Sequence, residues 1–183
     1  MKRVLLILST GFEEIEAVTP LDLLRRAGIE AISASTGPSL LVEGGRGVRI
    51  EADRLLDGCL EETFDMVILP GGPGVDRLRQ DPRVIDLVRR AHSEGVPLAA
   101  ICAAPVILAD AGVAREHIVT SFPSVAEELA GHIREYSEAR VVEDGKVITS
   151  RGAGSAEEFS LRLIAYLAGA AAADDVRTRI VAR

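Results

Sequence analysis

The sequence predicts an α/β fold in one domain over residues 1–183, a mostly parallel sheet with helices on both faces. Two observations carry that expectation. Short apolar runs alternate with helix-compatible stretches of 10 to 15 residues, the pattern of βαβ units. The runs themselves, such as Val4 to Leu8 and Met66 to Leu69, are apolar at successive positions, as strands buried on both faces must be. A third observation, a single cysteine between small residues at a strand-to-helix junction, adds a nucleophile elbow.

Val4 to Leu8 is expected as the first strand. Thr10-Gly11-Phe12-Glu13 is a T-x-x-E capping box that should open a helix running to about Ala27 and stopping at Gly28. Pro20 inside it should kink it, because proline removes a backbone donor. Ala31 to Ser35 forms the second strand. Leu40 to Val42 and Val48 to Ile50, broken by Gly44-Gly45, look like a small antiparallel excursion. Met66 to Leu69 resumes the sheet, and Asp81-Pro82 starts a helix to about Glu94. Pro97 to Ile101 is a strand leading into Cys102 and a helix over Ala103 to Ala111.

After it, Ile118 to Thr120 is a short strand, and Ser124-Val125-Ala126-Glu127 is a second capping box. Arg140 to Glu143 and Lys146 to Ser150 flank Asp144-Gly145, a hairpin signal. Ser155-Ala156-Glu157-Glu158 should cap a helix through Leu167, and Ala170 to Val181 a last one. No linker, repeat or low-complexity run divides the chain.

Composition narrows the function classes. A net charge of -7 argues against nucleic acid or an anionic membrane as main partner, since both select a basic face. No apolar run approaches the roughly 20 residues of a membrane span, and the start of the chain suits a strand better than a secretory signal. Two cysteines, Cys59 and Cys102, then fit free thiols in a reducing, cytoplasmic setting. Two Cys and three scattered His have no metal-ligand spacing, so no metal is expected.

Three features should meet at the carboxyl ends of the strands, where α/β sheets bind ligands: Gly11 to Glu16, Pro70 to Gly74, and Cys102. Ala99, Ala100, Ala103 and Ala104 around Cys102 permit the sharp turn of an elbow. At the first turn of a helix, its sulfur would be favoured as thiolate. The alternative is a structural cysteine in the core. Glu13 and Glu14 suit the positive end of a helix. Glu16, held beside a thiolate, would be pushed toward its protonated form and become a general acid. The N–H groups of Gly71, Gly72 and Ala103 are candidate oxyanion donors; a plain tight turn is the alternative. Gly71-Gly72-Pro73-Gly74 fits neither G-x-G-x-x-G nor a P-loop, which disfavours nucleotides. His92, His117 and His132 are expected at the surface, and Cys59 as an ordinary thiol.

The stretches Gly11-Phe12-Glu13-Glu14-Ile15-Glu16-Ala17-Val18-Thr19-Pro20, Leu69-Pro70-Gly71-Gly72, Ala99-Ala100-Ile101-Cys102-Ala103-Ala104-Pro105 and Thr149-Ser150-Arg151-Gly152-Ala153-Gly154 resemble the ThiJ/PfpI superfamily. Within it they are closest to the branch of the parkinsonism-associated deglycase and its bacterial relatives. The resemblance spans almost the whole chain. It implies a flavodoxin-like sandwich acting as a homodimer without a cofactor. It makes Cys102 the reactive, oxidisable cysteine and Glu16 the protonated glutamate bonded to it. Gly71, Gly72 and Ala103 become the backbone donors, and Arg26 and Arg46 two arginines near the pocket, with Arg46 reaching in from the partner subunit. One departure is Phe122-Pro123, where the parkinsonism protein has His-Pro, so a mechanism resting on that histidine is not carried over. Phe122 would instead line the substrate space.

What the resemblance implies about activity is a deglycase or glyoxalase acting on methylglyoxal, glyoxal or their adducts on amino groups. The alternative is a redox sensor or chaperone whose Cys102 is oxidised to sulfinate. An amidotransferase-like cysteine hydrolase would need a histidine and an acid downstream of the cysteine, and His117 and His132 supply no such pair.

Overall fold

A computed structural model of the chain describes residues 1–182. Strand β1 (Arg3–Leu8) leads through a tight loop to helix α1 (Glu14–Arg26), and β2 (Glu30–Ser35) returns alongside β1. A hairpin of β3 (Leu41–Glu43) and β4 (Arg49–Glu51) stands apart as its own two-stranded sheet, and β5 (Arg54–Leu55) adds an edge to β2. Next come β6 (Met66–Leu69), α2 (Val75–Gln80) and α3 (Pro82–Ser93), then β7 (Leu98–Ile101) and α4 (Pro105–Asp110). The last third holds β8 (Ile118–Val119), α5 (Ala126–Leu129), β9 (Glu135–Tyr136), the hairpin β10 (Val141–Asp144) and β11 (Val147–Ser150), and helices α6 (Ala156–Ala168) and α7 (Ala170–Arg179).

The main sheet runs β10-β11-β7-β6-β1-β2-β5, parallel except for the β10 edge. With the edge strands β5 and β10 set aside, the order is that of the flavodoxin-like doubly wound fold, with its topological switch between β1 and β6. Alternate residues of each strand feed two cores. Leu5, Ile7, Val67, Leu69, Leu98 and Ala100 pack under α2, α3 and α4. Val4, Leu6, Leu8, Met66, Ile68, Ala99 and Ile101 pack under α1 and α6. Burial on both faces explains why these strands read as unbroken apolar runs.

Several local expectations need correcting. Thr10 does not cap α1: Glu13 occupies the cap position with no side-chain cap bond. Gly11 takes φ +88, and its loop is tied to other loops instead, by Gly11 N–H to the Glu43 carbonyl and Gly74 N–H to the Gly11 carbonyl, each 2.8 Å. Helix α1 itself runs through Pro20 to Arg26, close to its expected end. The second capping box yields a single 3-10 turn over Pro123–Val125 and the four-residue α5, again without a side-chain cap. The helix after Cys102 begins two residues later than expected, at Pro105, and is six residues long. Strands β5 and β9 and helix α2 are short elements that periodicity did not reveal. No helix among the described residues is long and apolar enough to cross a membrane.

Candidate active site

At the carboxyl ends of the central strands the elbow is formed. Cys102 follows β7 directly with φ 66, the left-handed region that a side chain with a Cβ enters only when its surroundings impose it. Its backbone is pinned on both sides. The Cys102 N–H donates to the Ser150 carbonyl and the Phe122 N–H donates to the Cys102 carbonyl, each at 2.8 Å. The thiol is half-buried.

Glu16, in the first turn of α1, is fully buried at 0% exposure. Its Oε2 accepts the Gly71 N–H at 2.9 Å, while Oε1 is buried without a hydrogen-bond partner. Gly71 is where the two groups are brought together. A Cβ there would lie 2.6 Å from Glu16 Oε2 and 2.7 Å from Cys102 Cβ, so no larger residue fits. Burial pushes the Glu16 carboxyl up to about 7, partly offset by the Cys102 thiol, the Gly71 N–H and the Ala153 N–H that face it. Burial, then the charge of Glu16, pushes the Cys102 thiol up to about 12, against the Gly72 and Ala103 N–H groups that favour thiolate. The pair thus sheds one proton near 7 and the second far above it, and in between carries one negative charge. This corrects the expectation that a helix end lowers the cysteine. With α4 starting at Pro105, burial and the neighbouring carboxyl outweigh it.

The other expected residues divide. Gly72 and Ala103 turn their N–H groups to the sulfur, but the Gly71 N–H is committed to Glu16 and is not a free oxyanion donor. Phe122 lies at the mouth, 47% exposed. Arg26 is not at the site within this chain. It lies ten residues beyond Glu16 on α1, about 15 Å along the axis, and bonds Asp22 at 2.8 Å. Arg46 sits exposed at the tip of the β3–β4 hairpin, where its N–H donates to Glu14 Oε1 at 2.7 Å. Glu14 therefore does more than face a helix dipole: burial would raise its pKa, but the N–H groups of its own backbone, Arg46 and Val48 bring it below the ordinary value.

None of the histidines is at the elbow. His117 lies 3.6 Å from Asp144 at the opposite end of β11, its ring edge-on to His92, and His132 is exposed between α5 and β9. Cys59 is buried in the core beneath β5, its pKa raised by burial.

Gly152 is one residue of the Thr149-to-Gly154 stretch, and its role emerges only in the fold. It roofs the pair: a Cβ on it would sit 3.9 Å from Cys102 Sγ, 4.0 Å from Glu16 Oε1 and 3.4 Å from the Phe122 ring. A side chain there would press on sulfur, carboxyl and ring at once, and glycine leaves the space over the pair open.

Comparison with known proteins agrees with this geometry. The chain is 39% identical to the Parkinson disease protein 7 homolog of Danio rerio over 183 residues, covering 98% of this chain and 97% of the relative. It is 35% identical to the glutathione-independent glyoxalase DJR-1.2 of Caenorhabditis elegans over 159 residues, 86% of this chain and 83% of that protein. Its fold superimposes on the crystal structure of Drosophila melanogaster DJ-1beta with a TM-score of 0.96 at 39% identity, covering 100% and 98% of the two chains. Residues 2–166 match the DJ-1/PfpI family, and the chain belongs to that family.

Proposed function

We propose that this protein consumes small reactive carbonyl compounds, methylglyoxal and glyoxal or their adducts on amino groups, through a Cys102/Glu16 dyad that needs no cofactor. The observation that carries the reading is Glu16 itself: buried, proton-retaining to about 7, with one oxygen fixed by Gly71 and the other unpartnered. Between the two ionisations the pair holds one proton, mostly on sulfur, and the reacting form is the minority with that proton on Glu16 and the charge on Cys102, which two N–H groups face. The thiolate adds to the aldehyde carbon, forming the C–S bond. The carbonyl π pair moves to oxygen, which takes the Glu16 proton to give a hemithioacetal. The Glu16 carboxylate then removes the proton on the former aldehyde carbon. It returns that proton to the adjacent carbon while the hydroxyl proton passes to the neighbouring oxygen, leaving a 2-hydroxy thioester that water hydrolyses to the hydroxy acid and free thiol. The sum is 2-oxoaldehyde plus water to 2-hydroxy acid, the aldehyde carbon oxidised as its neighbour is reduced, with no external oxidant or reductant. The glyoxalase among the relatives supports this class, and two free thiols suit a cytoplasmic setting.

Loss of methylglyoxal without glutathione tests the reading. Cys102→Ser should fall to the buffer rate, and Glu16→Gln should lose roughly 10²–10⁴-fold, the usual worth of a general acid–base. A Cys102→Ser protein as fast as wild type would end it. A second reading, a redox sensor, is favoured by the same free Glu16 oxygen, which can donate to a sulfinate on Cys102. It predicts stoichiometric sulfinate by mass spectrometry at peroxide doses that leave Cys59 intact.

The assembly we propose is a homodimer. Ile15 and Val18 on the outer face of α1 and Val48 on the hairpin are exposed at 52%, 44% and 51%. A second copy docked there would bring its own hairpin, with Arg46 at the tip, toward this α1.

A further inference from the structure

Ser155 stands where the sequence expects a helix cap, directly before α6, yet its hydroxyl makes no capping bond. It turns back on the loop that precedes it. Ser155 Oγ accepts the Gly152 N–H at 3.2 Å, lies 2.8 Å from the Gly152 carbonyl, and lies 2.7 Å from Ser150 Oγ. Ser150 Oγ is in turn 2.9 Å from the Arg140 carbonyl. Both serines are buried, at 0% and 2% exposure. Two hydroxyl protons can satisfy this network in either direction. If Ser150 donates to Ser155 and Ser155 to the Gly152 carbonyl, the Arg140 carbonyl keeps the Arg151 N–H at 3.0 Å. If the chain runs the other way, the Gly152 carbonyl keeps the Ser155 N–H at 2.8 Å. No polar atom is stranded in either case, which a buried network requires.

The clasp closes on the residues that roof the dyad. Gly152 lies against Cys102 Sγ, Glu16 Oε1 and Phe122, the Ala153 N–H faces Glu16, and the Ser150 carbonyl holds the Cys102 N–H. We propose that Ser155, acting through Ser150, is a positioning residue that fixes the Gly152–Ala153 roof over Cys102 and Glu16 and thereby keeps water from the carboxyl. The proposal rests on the dyad reading above. A dry Glu16 holds its proton to higher pH, which favours the form with the charge on sulfur. A wetted Glu16 ionises at lower pH, and more of the thiol must then ionise beside a carboxylate.

The test is the pH profile of Cys102 alkylation by iodoacetamide, followed on the Cys102 peptide by mass spectrometry so that Cys59 does not contribute. Wild type should rise toward a plateau above about pH 7, where the pair has shed its first proton. Ser155→Ala should bring that first rise to lower pH and, with less of the form that carries its charge on sulfur, alkylate at least tenfold more slowly at the plateau. Ser155→Thr, which keeps the hydroxyl, should restore the wild-type profile. Ser150→Ala removes only the far half of the clasp and should shift the rise in the same direction by less; it decides the matter if Ser155→Ala does not fold. A folded Ser155→Ala, or failing that Ser150→Ala, whose profile superimposes on wild type overturns the proposal. Glu16→Gln separates the two ideas: if it too leaves the profile unmoved, the dyad reading fails, whereas a shift in Glu16→Gln alone leaves the dyad standing and removes the clasp.

Discussion

With its carboxyl buried and held up to about 7, Glu16 makes the folded chain retain a proton that the unfolded chain releases near the ordinary value of 4.5. The folded state therefore binds more protons between those two pH values, and stability falls as pH rises through that window. The span corresponds to roughly 3 kcal/mol, full at low pH and lost above about 7. Glu16→Gln removes the titration but keeps the shape. Urea unfolding should find the variant more stable than wild type at pH 8 by up to roughly that amount, and no more stable at pH 5. Equal pH slopes in the two proteins would contradict the buried, proton-holding Glu16. Gly71 works at the same scale. It is glycine because a Cβ there would collide with Glu16 on α1 and Cys102 just after β7, neither of them near it in sequence.

Among the elements, the β3–β4 hairpin depends on a partner outside itself. Its turn is held by Glu14, the first residue of α1, through Arg46 and Val48 N–H groups at 2.7 and 3.4 Å, and by the Gly45 N–H to the Phe12 carbonyl at 2.8 Å. Glu14→Ala should leave the main sheet intact and loosen the turn. Amide exchange at Arg46 and Val48 should quicken about tenfold, matching the ~1.5 kcal/mol of a hydrogen bond to a charged group. Unchanged exchange at both would mean that the backbone bonds of the turn hold it without Glu14. The elbow follows the same logic. Helix α4 is too short and starts too late to bias Cys102 by its dipole, so the cysteine's chemistry is set by Glu16 from α1, Gly72 from the loop after β6 and Gly152 from the loop after β11.

For the whole molecule, the switch point between β1 and β6 opens the crevice, and the Cys102 elbow on the neighbouring β7 faces it. The exposed Ile15, Val18 and Val48 flank that side of α1. If a second copy covers them, Val18→Arg should convert a dimer to a monomer in sedimentation equilibrium while leaving the far-ultraviolet circular dichroism unchanged. A wild-type chain that sediments as a monomer would remove the homodimer, and with it any role for Arg46 across the interface. Arg26, bonded to Asp22 far along α1, gains a site role only through such an assembly.

The sequence by itself determined the α/β class, the elbow at Cys102 and the candidate pairing of Cys102 with Glu16, together with the family. These reside in local chemistry: apolar runs for strands buried on both faces, small residues around one cysteine, and glycine strings whose order is written along the chain. Only the tertiary structure decided how those groups are used. The Gly71 N–H is spent on Glu16, Thr10 and Ser155 make no cap, and Gly152 becomes a roof, because each is fixed by partners from distant strands. The pKa of the pair is decided there as well. Burial is a property of the packed molecule, and at Cys102 and Glu16 it outweighs the helix end that the sequence suggested.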